Sequence, residues 1–423
     1  MSTTRSLPLM RHDAISARTA ATAPWRQRIS VQGYGDRQWW LPPDVDPQQP
    51  TTLDWPGRWL AWFVLTIVPF LVGFGAPQVV DNVYTPSLRV RVGDGAAWLA
   101  AHTGPPLAAN AYLLYDLDAD RVLLTRQASA ALPPASLTKL MTALLVLEKG
   151  ELQALVTIQA SDLVGGTAMG LRAGEQRTVE ELLWGMLIPS GNDAATALAR
   201  HLGGTVAAFV TQMNERAIAL GLTQTVFANP HGLDAEGHVS SAADLLILVR
   251  RVWDYPLFRQ IVATASTTIG GHALRNTNEL LESDTRVNGI KTGTTDAAGQ
   301  CLIAGIQHEG RQIIGIVLGS SDRYTDMRAL DRYYQATYQW IDVQRDALTV
   351  LDRIQDETGK TWYLRTGGPP LTFLAPKFER ERLQVYRRLQ LPTTGSWVPG
   401  LAAGTLEWRM GDQVVGTQLL FFW

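Results

Sequence analysis

The chain has 423 residues, 46% of them hydrophobic, and a formal net charge of −2 at pH 7. This length allows two or more folded units with a large core, and the near-neutral charge excludes the basic surface that binds nucleic acid. The one cysteine, Cys301, excludes an intramolecular disulfide and a cysteine-rich zinc site. Because His201, His238 and His272 lack the spacing of metal ligands, we expect no metal, no cofactor and no nucleic-acid partner.

The N-terminal part predicts a cytoplasmic segment followed by a membrane anchor. Residues 1–57 are polar, which is typical of a largely disordered segment. Residues 58–80 contain the uncharged run "WLAWFVLTIVPFLVGFGAPQVV", which as a helix spans about 33 Å, enough to cross a bilayer. Arginines precede this run and place the N-terminus in the cytoplasm. We expect an uncleaved transmembrane helix that holds the rest of the chain outside the cytoplasm; a cleaved signal peptide or a buried core helix is the alternative.

After the anchor, the sequence predicts a linker and then a hairpin and helices. Residues 81–108 contain "GDG" and "TGPP" and are predicted to be the linker. Two apolar runs around residues 118–120 predict a β-hairpin, and a helix with a broad apolar stripe is predicted to open at Ser136. The capping-box pattern of residues 178–181 predicts the start of a further helix, which breaks at residues 189–191.

The following region combines helices with late strands. A helix is predicted to begin near Asp193, and residues 206–221 and 241–253 have further helical patterns. From residue 286 onward, "RVNGIKTG", "QCLIAGIQ" and "QIIGIVLGS" predict three strands, and "MRALDRYYQATYQWI" predicts a closing helix. Helices inserted between an early hairpin and late strands favour an α+β domain with a central antiparallel sheet.

A change of pattern near residue 346 indicates a second domain. We predict one domain over residues 109–345, which contains the hairpin, the helices and the late strands. Residues 346–423 have short alternating segments separated by "TGGPP", "LPTTGSWVPG" and "RMGDQ". This pattern predicts a small β domain.

Three short motifs carry residues suited to nucleophilic catalysis. They are Ser136-Leu-Thr-Lys139, Ser190-Gly-Asn192 and Lys291-Thr-Gly293, in this order. Residues three apart lie on one face of a helix, so the Lys139 amine can reach the Ser136 hydroxyl. A serine nucleophile needs a base, and a lysine serves as one only if burial or a second cation lowers its pKa. Lys291 can supply that cation.

Each motif has further chemical uses and also a bland interpretation. In the first turn of a helix, the Ser136 N–H lacks an intrahelical partner, so an oxyanion can lie against it and one strand amide. Ser190 can relay a proton to a leaving amine, Asn192 can hold a substrate amide, and Lys291 can bind a carboxylate. Taken singly, the motifs are a chance serine–lysine pair, a turn and a strand end. Their combination in this order favours catalysis.

The sequence resembles the serine-type D-alanyl-D-alanine carboxypeptidases of peptidase family S11, which are low-molecular-weight penicillin-binding proteins. The resemblance runs through "PASLTKLMTALLVLE", "MGLRAGEQRTVEELLWGMLIPSGNDAATALA", "FANPHGLDAEGHVSSAADL", "RNTNELL" and "VNGIKTGTTDAAGQCLIAG", and covers roughly residues 109–343. It implies the transpeptidase fold shared with β-lactamases, with an antiparallel sheet and helices on both sides. "GTLEWRMGDQVVGTQLL" resembles the family's C-terminal β domain.

The resemblance also implies a role for each matched residue. The implied catalytic residues are Ser136 as the acylated nucleophile, Lys139 as its general base, and Ser190. The implied substrate-binding residues are Asn192, Lys291, Thr292, Gly293 and Thr294, of which Thr294 would give the second oxyanion N–H. Arg323 is expected to assist in holding a carboxylate. For Asn229, His231 and Gly232, which also match the family, we expect a structural role.

Two features depart from the family pattern. Members usually have a cleaved signal and often a C-terminal amphipathic helix, whereas here an internal anchor is predicted and the sequence ends in "TQLLFFW". In addition, position 191 is Gly where many β-lactamases have Asp, which is within the range of the carboxypeptidases. These departures leave the chemistry unchanged but bear on membrane attachment.

The predicted function is removal of the terminal D-alanine from peptidoglycan pentapeptide stems by a membrane-anchored, outward-facing enzyme. β-Lactam antibiotics are expected to acylate the same serine. A β-lactamase of the same fold is one alternative, although no glutamate between the second and third motifs has the Glu-x-x-Leu-Asn pattern of class A enzymes. A DD-endopeptidase that cuts crosslinks and a non-catalytic peptidoglycan-binding scaffold are the others.

Overall fold

The structure, a computed structural model, describes part of the chain. The predicted cytoplasmic segment, residues 1–57, and residues 58–77 of the predicted anchor lie outside the described residues. Within the described part, no helix is both long and apolar enough to span a membrane. The described ranges are residues 78–84, 104–342, 353–367, 371–391 and 397–423.

A five-stranded antiparallel sheet forms the centre of residues 104–342. Its strands are β2 (Ala111–Asp116), β3 (Arg121–Arg126), β8 (Val287–Thr295), β9 (Gly299–His308) and β10 (Arg311–Ser320). The strand order is β3-β2-β10-β9-β8, so the early hairpin lies beside the late strands, as predicted. Within β10, Ile314 and Ile316 belong to the core on one face, and Ile313 and Val317 belong to the core on the other. A sheet buried on both faces needs helices on both sides.

Helices cover both faces of this sheet. They are α1 (Lys139–Lys149), α2 (Val179–Leu187), α3 (Asn192–Gly203), α4 (Val206–Ala219), α5 (Ala242–Trp253), α6 (Pro256–Val262), α7 (Leu280–Ser283) and α8 (Arg323–Thr337). The larger core contains Leu140 of α1, Leu183 of α2 and Leu198 of α3. The core on the other face contains Met327 and Leu330 of α8. The predicted antiparallel sheet with helices on both sides is confirmed.

Two short hairpins flank the helical region. They pair β4 (Leu155–Thr157) with β5 (Gln176–Thr178), and β6 (Ser266–Ile269) with β7 (His272–Arg275). The second hairpin is tied to the first region by the Glu175 carboxylate, which lies 2.6 Å from His272 Nε2. Both hairpins therefore border the segment that leads into α2.

Local signals set the ends of the helices that position the site. The Thr178 hydroxyl accepts the Glu181 N–H at 3.1 Å, and the Glu181 carboxylate accepts the Thr178 N–H at 2.9 Å. This capping box starts α2 where the sequence predicts it. The break before α3 is also confirmed, and Ser190 occupies it with φ 63°, in the left-handed region.

The predicted start of the Ser136 helix needs a correction. Residues Ala135–Thr138 form a 3₁₀ turn, and α1 begins only at Lys139. The apolar stripe that predicts the helix is real, but the stripe does not reveal the tighter winding of its first turn. Ser136 therefore lies in a turn that leads into α1.

The closing helix is also displaced relative to its prediction. It begins at Arg323, because the Asp322 side chain accepts the N–H groups of Tyr324 and Thr325 and caps the helix. It ends at Thr337, and the alternating residues Tyr338–Asp342 form strand β11 instead of a last helical turn. Strand β11 pairs antiparallel with β14, which is Thr372–Pro376.

A second sheet contains the C-terminal strands. Its strands are β1 (Gln78–Tyr84), β12 (Arg353–Gln355), β13 (Thr361–Gly367), β15 (Leu383–Leu391), β16 (Ala402–Met410) and β17 (Gln413–Phe422), in the order β1-β15-β16-β17-β13-β12. Trp362, Leu389 and Phe422 are buried in one of its cores. Strand β1 contains residues 78–80, predicted to end the anchor, and residues 81–84, predicted to open the linker. Those residues are extended and paired, because "QVVDNVY" is rich in β-forming residues.

Candidate active site

Ser136 lies in a strained turn with a free backbone donor. Ala135 precedes it with φ 49°, a left-handed conformation that a residue with a side chain rarely adopts. The Thr138 hydroxyl donates to the Ala135 carbonyl oxygen at 2.8 Å and closes the turn. No hydrogen bond to the Ser136 N–H occurs within the described residues, so this donor is available to a ligand.

Gly232 packs directly against this turn. Its φ is +94°, and a Cβ at this position would lie 1.9 Å from the Ala135 carbonyl oxygen and 2.9 Å from the Ser136 nitrogen. Any side chain here would push the turn away, so position 232 requires Gly. Asn229 fixes the same loop: its side-chain oxygen accepts the Gly232 N–H at 2.6 Å, and its amide donates to the Leu233 carbonyl at 2.8 Å. These contacts fit the structural roles predicted for Asn229 and Gly232.

The Lys139 amine lies beside the Ser136 hydroxyl and is fully buried. The distance from Lys139 Nζ to Ser136 Oγ is 2.8 Å. The same nitrogen lies 2.7 Å from Asn192 Oδ1 and 2.7 Å from the His231 carbonyl oxygen. Its exposed fraction is 0%. The amine is therefore held by three oxygen atoms from three separate parts of the chain.

Burial and a second cation lower the basicity of this amine. Burial is the main reason that the pKa of Lys139 lies well below its ordinary value; the Lys291 charge lowers it further, and Asp193 opposes the shift. Burial and the nearby Arg323 charge lower the pKa of Lys291 to about 7. The Lys291 amine donates to the Thr292 carbonyl at 2.9 Å. A lysine amine with a lowered pKa loses its proton readily enough to act as a base.

The turn between α2 and α3 presents Ser190 and Asn192 to the same place. The Asn192 amide nitrogen donates to the Gly165 carbonyl at 2.7 Å, which leaves its oxygen directed at Lys139. The Ser190 hydroxyl oxygen is buried, and no described residue hydrogen bonds it. Because buried hydroxyl groups are nearly always hydrogen bonded, this one indicates a position that a ligand completes.

Strand β8 brings the third motif to the sheet edge beside Ser136. A Cβ on Gly293 would lie 3.0 Å from the Ser136 nitrogen and 2.9 Å from the Ala135 Cβ. The absence of a side chain at this position lets the strand approach the turn. The Thr292 hydroxyl oxygen lies 2.5 Å from that of Thr277, in the segment that precedes the strand.

Arg323 reaches back from the start of α8 to the same strand. Its guanidinium donates to the carbonyl of Gly293 at 2.9 Å and to that of Cys301 at 3.0 Å, and it also bonds the Thr294 hydroxyl. Its Nε lies 3.2 Å from the Gln300 side-chain oxygen. These contacts fix a cation beside the exposed Thr294, where it can attract a carboxylate.

The structure thus brings all of the predicted catalytic and substrate-binding residues around the Ser136 turn. His231 contributes its carbonyl oxygen to Lys139. Burial, followed by the Lys139 charge, lowers the pKa of the His231 ring to about 4, so the ring is neutral at pH 7.

Sequence reasoning missed His238, which supports the turn from behind. Its Nε2 lies 2.7 Å from the Thr138 hydroxyl, and its Nδ1 accepts the Ala228 N–H at 2.9 Å. Because Thr138 already donates to the Ala135 carbonyl, His238 is the donor toward Thr138, with its proton on Nε2. Burial lowers the pKa of His238 to about 4. Nothing in the local sequence connects residues so far apart.

Sequence reasoning also missed Asp193 and Thr277. Asp193 directly follows the second motif and is 2% exposed. The only sequence signal was one carboxylate in front of the small and apolar run "AATALA". For Thr277, which meets Thr292, no such signal exists.

The contact between Gly232 and the Ser136 turn predicts a specific sensitivity to a methyl group. We expect Gly232→Ala to lower the rate of acylation by penicillin roughly a hundredfold, since a shift of about 1 Å at a reacting centre has that effect. Stopped-flow measurement of acylation checks this. The matched control is Gly237→Ala, because Gly237 also has a positive φ of +72° but no atom within 4 Å of a Cβ. Equal rates for the two variants would show that the contact with Ser136 is unimportant.

Comparison with known proteins agrees with this geometry. The family model for D-alanyl-D-alanine carboxypeptidases, peptidase family S11, matches residues 99–322. The D-alanyl-D-alanine carboxypeptidase DacF of Bacillus subtilis (strain 168) is 32% identical over 286 residues, which cover 64% of this chain and 73% of that protein. The enzyme DacC of Escherichia coli (strain K12) is 37% identical over 230 residues, 51% of this chain and 58% of that protein.

Solved structures give the same result. Penicillin-binding protein 5 from Haemophilus influenzae is 26% identical, with a TM-score of 0.58, over 76% of this chain and 98% of that chain. A serine-to-alanine mutant of the Streptomyces K15 DD-transpeptidase is 32% identical, with a TM-score of 0.52, over 55% of this chain and 99% of that chain. The chain therefore belongs to peptidase family S11, the D-alanyl-D-alanine carboxypeptidases, and is a serine peptidase.

Proposed function

We propose that this protein removes the terminal D-alanine from peptidoglycan pentapeptide stems through an acyl-enzyme on Ser136, and that β-lactams acylate the same serine. The observation that carries this proposal is the fully buried Lys139 amine, 2.8 Å from the Ser136 hydroxyl. A hydroxyl becomes a competent nucleophile when such a base lies within hydrogen-bond reach. Family membership supports the same chemistry.

In the first step, the Ser136 oxygen attacks the carbonyl carbon of the penultimate D-alanine while its proton moves to Lys139. A neutral amine has two N–H groups and one lone pair. The oxygen of Asn192 and the carbonyl of His231 take the two N–H groups, which leaves the lone pair for the Ser136 hydroxyl. The contacts of Lys139 are thus those of a base that is ready to accept a proton.

The negative oxygen that forms on the substrate carbonyl needs donors. The Ser136 N–H is free for this role, and we assign the second donor to the Thr294 N–H. The lack of a side chain on Gly293 keeps the space beside the Ser136 nitrogen open. The substrate carbonyl would then lie between the turn and strand β8.

The leaving amine needs a proton, and Ser190 is placed to pass it on. The peptide C–N bond breaks as the proton taken by Lys139 is delivered through the Ser190 hydroxyl to the nitrogen of D-alanine. The buried Ser190 hydroxyl has no partner among the described residues, as expected for a group that bonds the substrate. A water molecule then attacks the acyl-enzyme, Lys139 takes its proton, and Ser136 is regenerated.

Specificity for a free C-terminus follows from the cations near β8. Lys291 and Arg323 supply positive charge, and Thr292 and Thr294 supply hydroxyl groups beside it. Two cations and hydroxyl donors at one strand edge match a carboxylate. Asn192 would hold the amide of the preceding residue.

We also propose that the anchor over residues 58–80 holds the enzyme at the membrane, with the N-terminus in the cytoplasm and the catalytic domain outside. The uncharged run and the arginines that precede it support this topology. The substrate class supports it too, because peptidoglycan lies outside the cytoplasm. Strand β1 then begins where the anchor ends, and the helical part is confined to residues before 78.

Replacing the nucleophile tests the reaction. We expect Ser136→Ala to abolish both covalent labelling by fluorescent penicillin and D-alanine release from a purified pentapeptide, because no other described hydroxyl lies beside Lys139. Labelling is measured on a gel, and release is measured by chromatography. Thr142→Ser, which alters a buried hydroxyl of the same helix, is the control and should keep both activities. Persistent labelling of Ser136→Ala would refute the acyl-enzyme.

The two lysines predict a bell-shaped dependence of kcat/KM on pH. Activity rises as Lys139 loses its proton, and it falls above pH about 7 as Lys291 loses the charge that holds the substrate carboxylate. A substrate whose terminal carboxylate is amidated has no use for the Lys291 charge, so its alkaline limb should be absent. Measuring kcat/KM from about pH 5 to 10 with both substrates checks this. An identical alkaline fall for both would contradict the role of Lys291.

Truncation tests the anchor. We expect the full chain to stay in the membrane fraction after an alkaline wash, whereas a chain that begins at residue 78 should be washed off and still bind penicillin. Externally added protease should reach the catalytic domain in spheroplasts. Retention of the truncated chain in the washed membrane would show that attachment lies elsewhere.

A further inference from the structure

The Asp193 carboxylate is a buried hub beside the proposed site. Only 2% of the residue is exposed. One oxygen accepts the N–H of Met169 at 2.8 Å, and the other accepts those of Gly170 at 3.0 Å and Leu171 at 3.1 Å. The first oxygen also accepts the Ala194 N–H at 2.8 Å. One carboxylate thus ties the start of α3 to three consecutive residues of another segment.

That segment, residues 167–171, wraps the turn that carries Ser190 and Asn192. The Thr167 hydroxyl donates to the Ser190 carbonyl at 2.6 Å, and the Thr167 carbonyl accepts the Asn192 N–H at 2.7 Å. A Cβ on Gly185 would lie 2.0 Å from the Met169 sulfur, so the Met169 side chain packs flat on α2. The backbone of the proposed proton relay is therefore held by a segment that Asp193 holds in turn.

The carboxylate also occupies the space of a side chain at position 191. A Cβ on Gly191 would lie 2.8 Å from Asp193 Oδ1 and 2.8 Å from the Met169 nitrogen. The glycine in the second motif and the aspartate that follows it are therefore one arrangement: Gly191 leaves the room that the Asp193 carboxylate fills.

We propose that Asp193 is a positioning residue for the peptidase reaction, because its carboxylate clamps residues 167–171 onto the Ser190–Asn192 turn and its charge acts on Lys139. This inference rests on the proposed acyl-enzyme mechanism. A charge that accepts several N–H groups stays ionised and rigid, so it fixes both the relay hydroxyl and the amide that holds the base. Loss of the charge should therefore change geometry and proton affinity together.

The electrostatic effect has a definite sign. Lys139 faces Lys291 on β8 and His231 on the adjacent loop, and Asp193 is the negative group that raises its pKa. Because Lys139 must be neutral to act as a base, removing the negative charge lowers its pKa and moves the acid limb of activity to lower pH. A clamp without an electrostatic effect would leave that limb in place.

The experiment compares full-length Asp193→Asn with wild type and with Asp244→Asn. Asp244 is a matched control, a buried carboxylate that accepts the Gln224 N–H at 2.8 Å and the Thr225 hydroxyl at 2.7 Å. We expect Asp193→Asn to slow penicillin acylation roughly 10- to 100-fold and to shift the acid limb of the acylation rate to lower pH. Asp244→Asn should leave the acid limb unchanged. An Asp193→Asn variant with wild-type rate and an unshifted limb would overturn the inference.

A second variant decides the case if Asp193→Asn does not fold. Thr167→Val removes only the hydroxyl bond to the Ser190 carbonyl and changes no charge. We expect it to slow acylation severalfold with an unshifted acid limb; an unchanged rate would refute the clamp. Failure of wild type to be acylated at all would instead refute the proposed function, so the two failures are distinguishable.

Discussion

The burial of one amine is the constraint on which the site depends. Moving a lysine out of water is costly unless its hydrogen bonds are satisfied, and Lys139 is surrounded by oxygen atoms of Ser136, Asn192 and His231. Each of these residues belongs to a different part of the chain, so folding must bring three segments together around one nitrogen. The same burial lowers the pKa of Lys139. Stability and reactivity therefore follow from one feature.

Close approach is the second condition, and glycines meet it. Gly232 and Gly293 both contact the turn of Ala135 and Ser136, from two sides. Their lack of side chains lets a loop and a strand enclose the nucleophile while its N–H remains free. A turn with a left-handed Ala135 persists only when its surroundings hold it. These contacts, together with the Thr138 hydroxyl, hold it.

Much of the site could be predicted from sequence because its chemistry is local. A serine and a lysine three residues apart share a face of any helical winding, so Lys139 meets Ser136 even though the first turn proves to be 3₁₀. The capping box at Thr178 and the strands around Lys291 are likewise set by neighbouring residues. Boundaries were less certain where alternating and helical patterns overlap, as at Tyr338.

By itself, the sequence determined the antiparallel sheet with its helices, the three motifs and their order, since patterns of period two and 3.6 and tripeptides are local properties. Only the tertiary structure decided which groups surround the reactive amine. His238 supports Thr138 across a long stretch of chain, and Asp193 binds a segment more than twenty residues earlier. Such contacts depend on how separate elements pack, and a carboxylate or an imidazole has the same appearance in a sequence whether it is exposed or holds a catalytic turn in place.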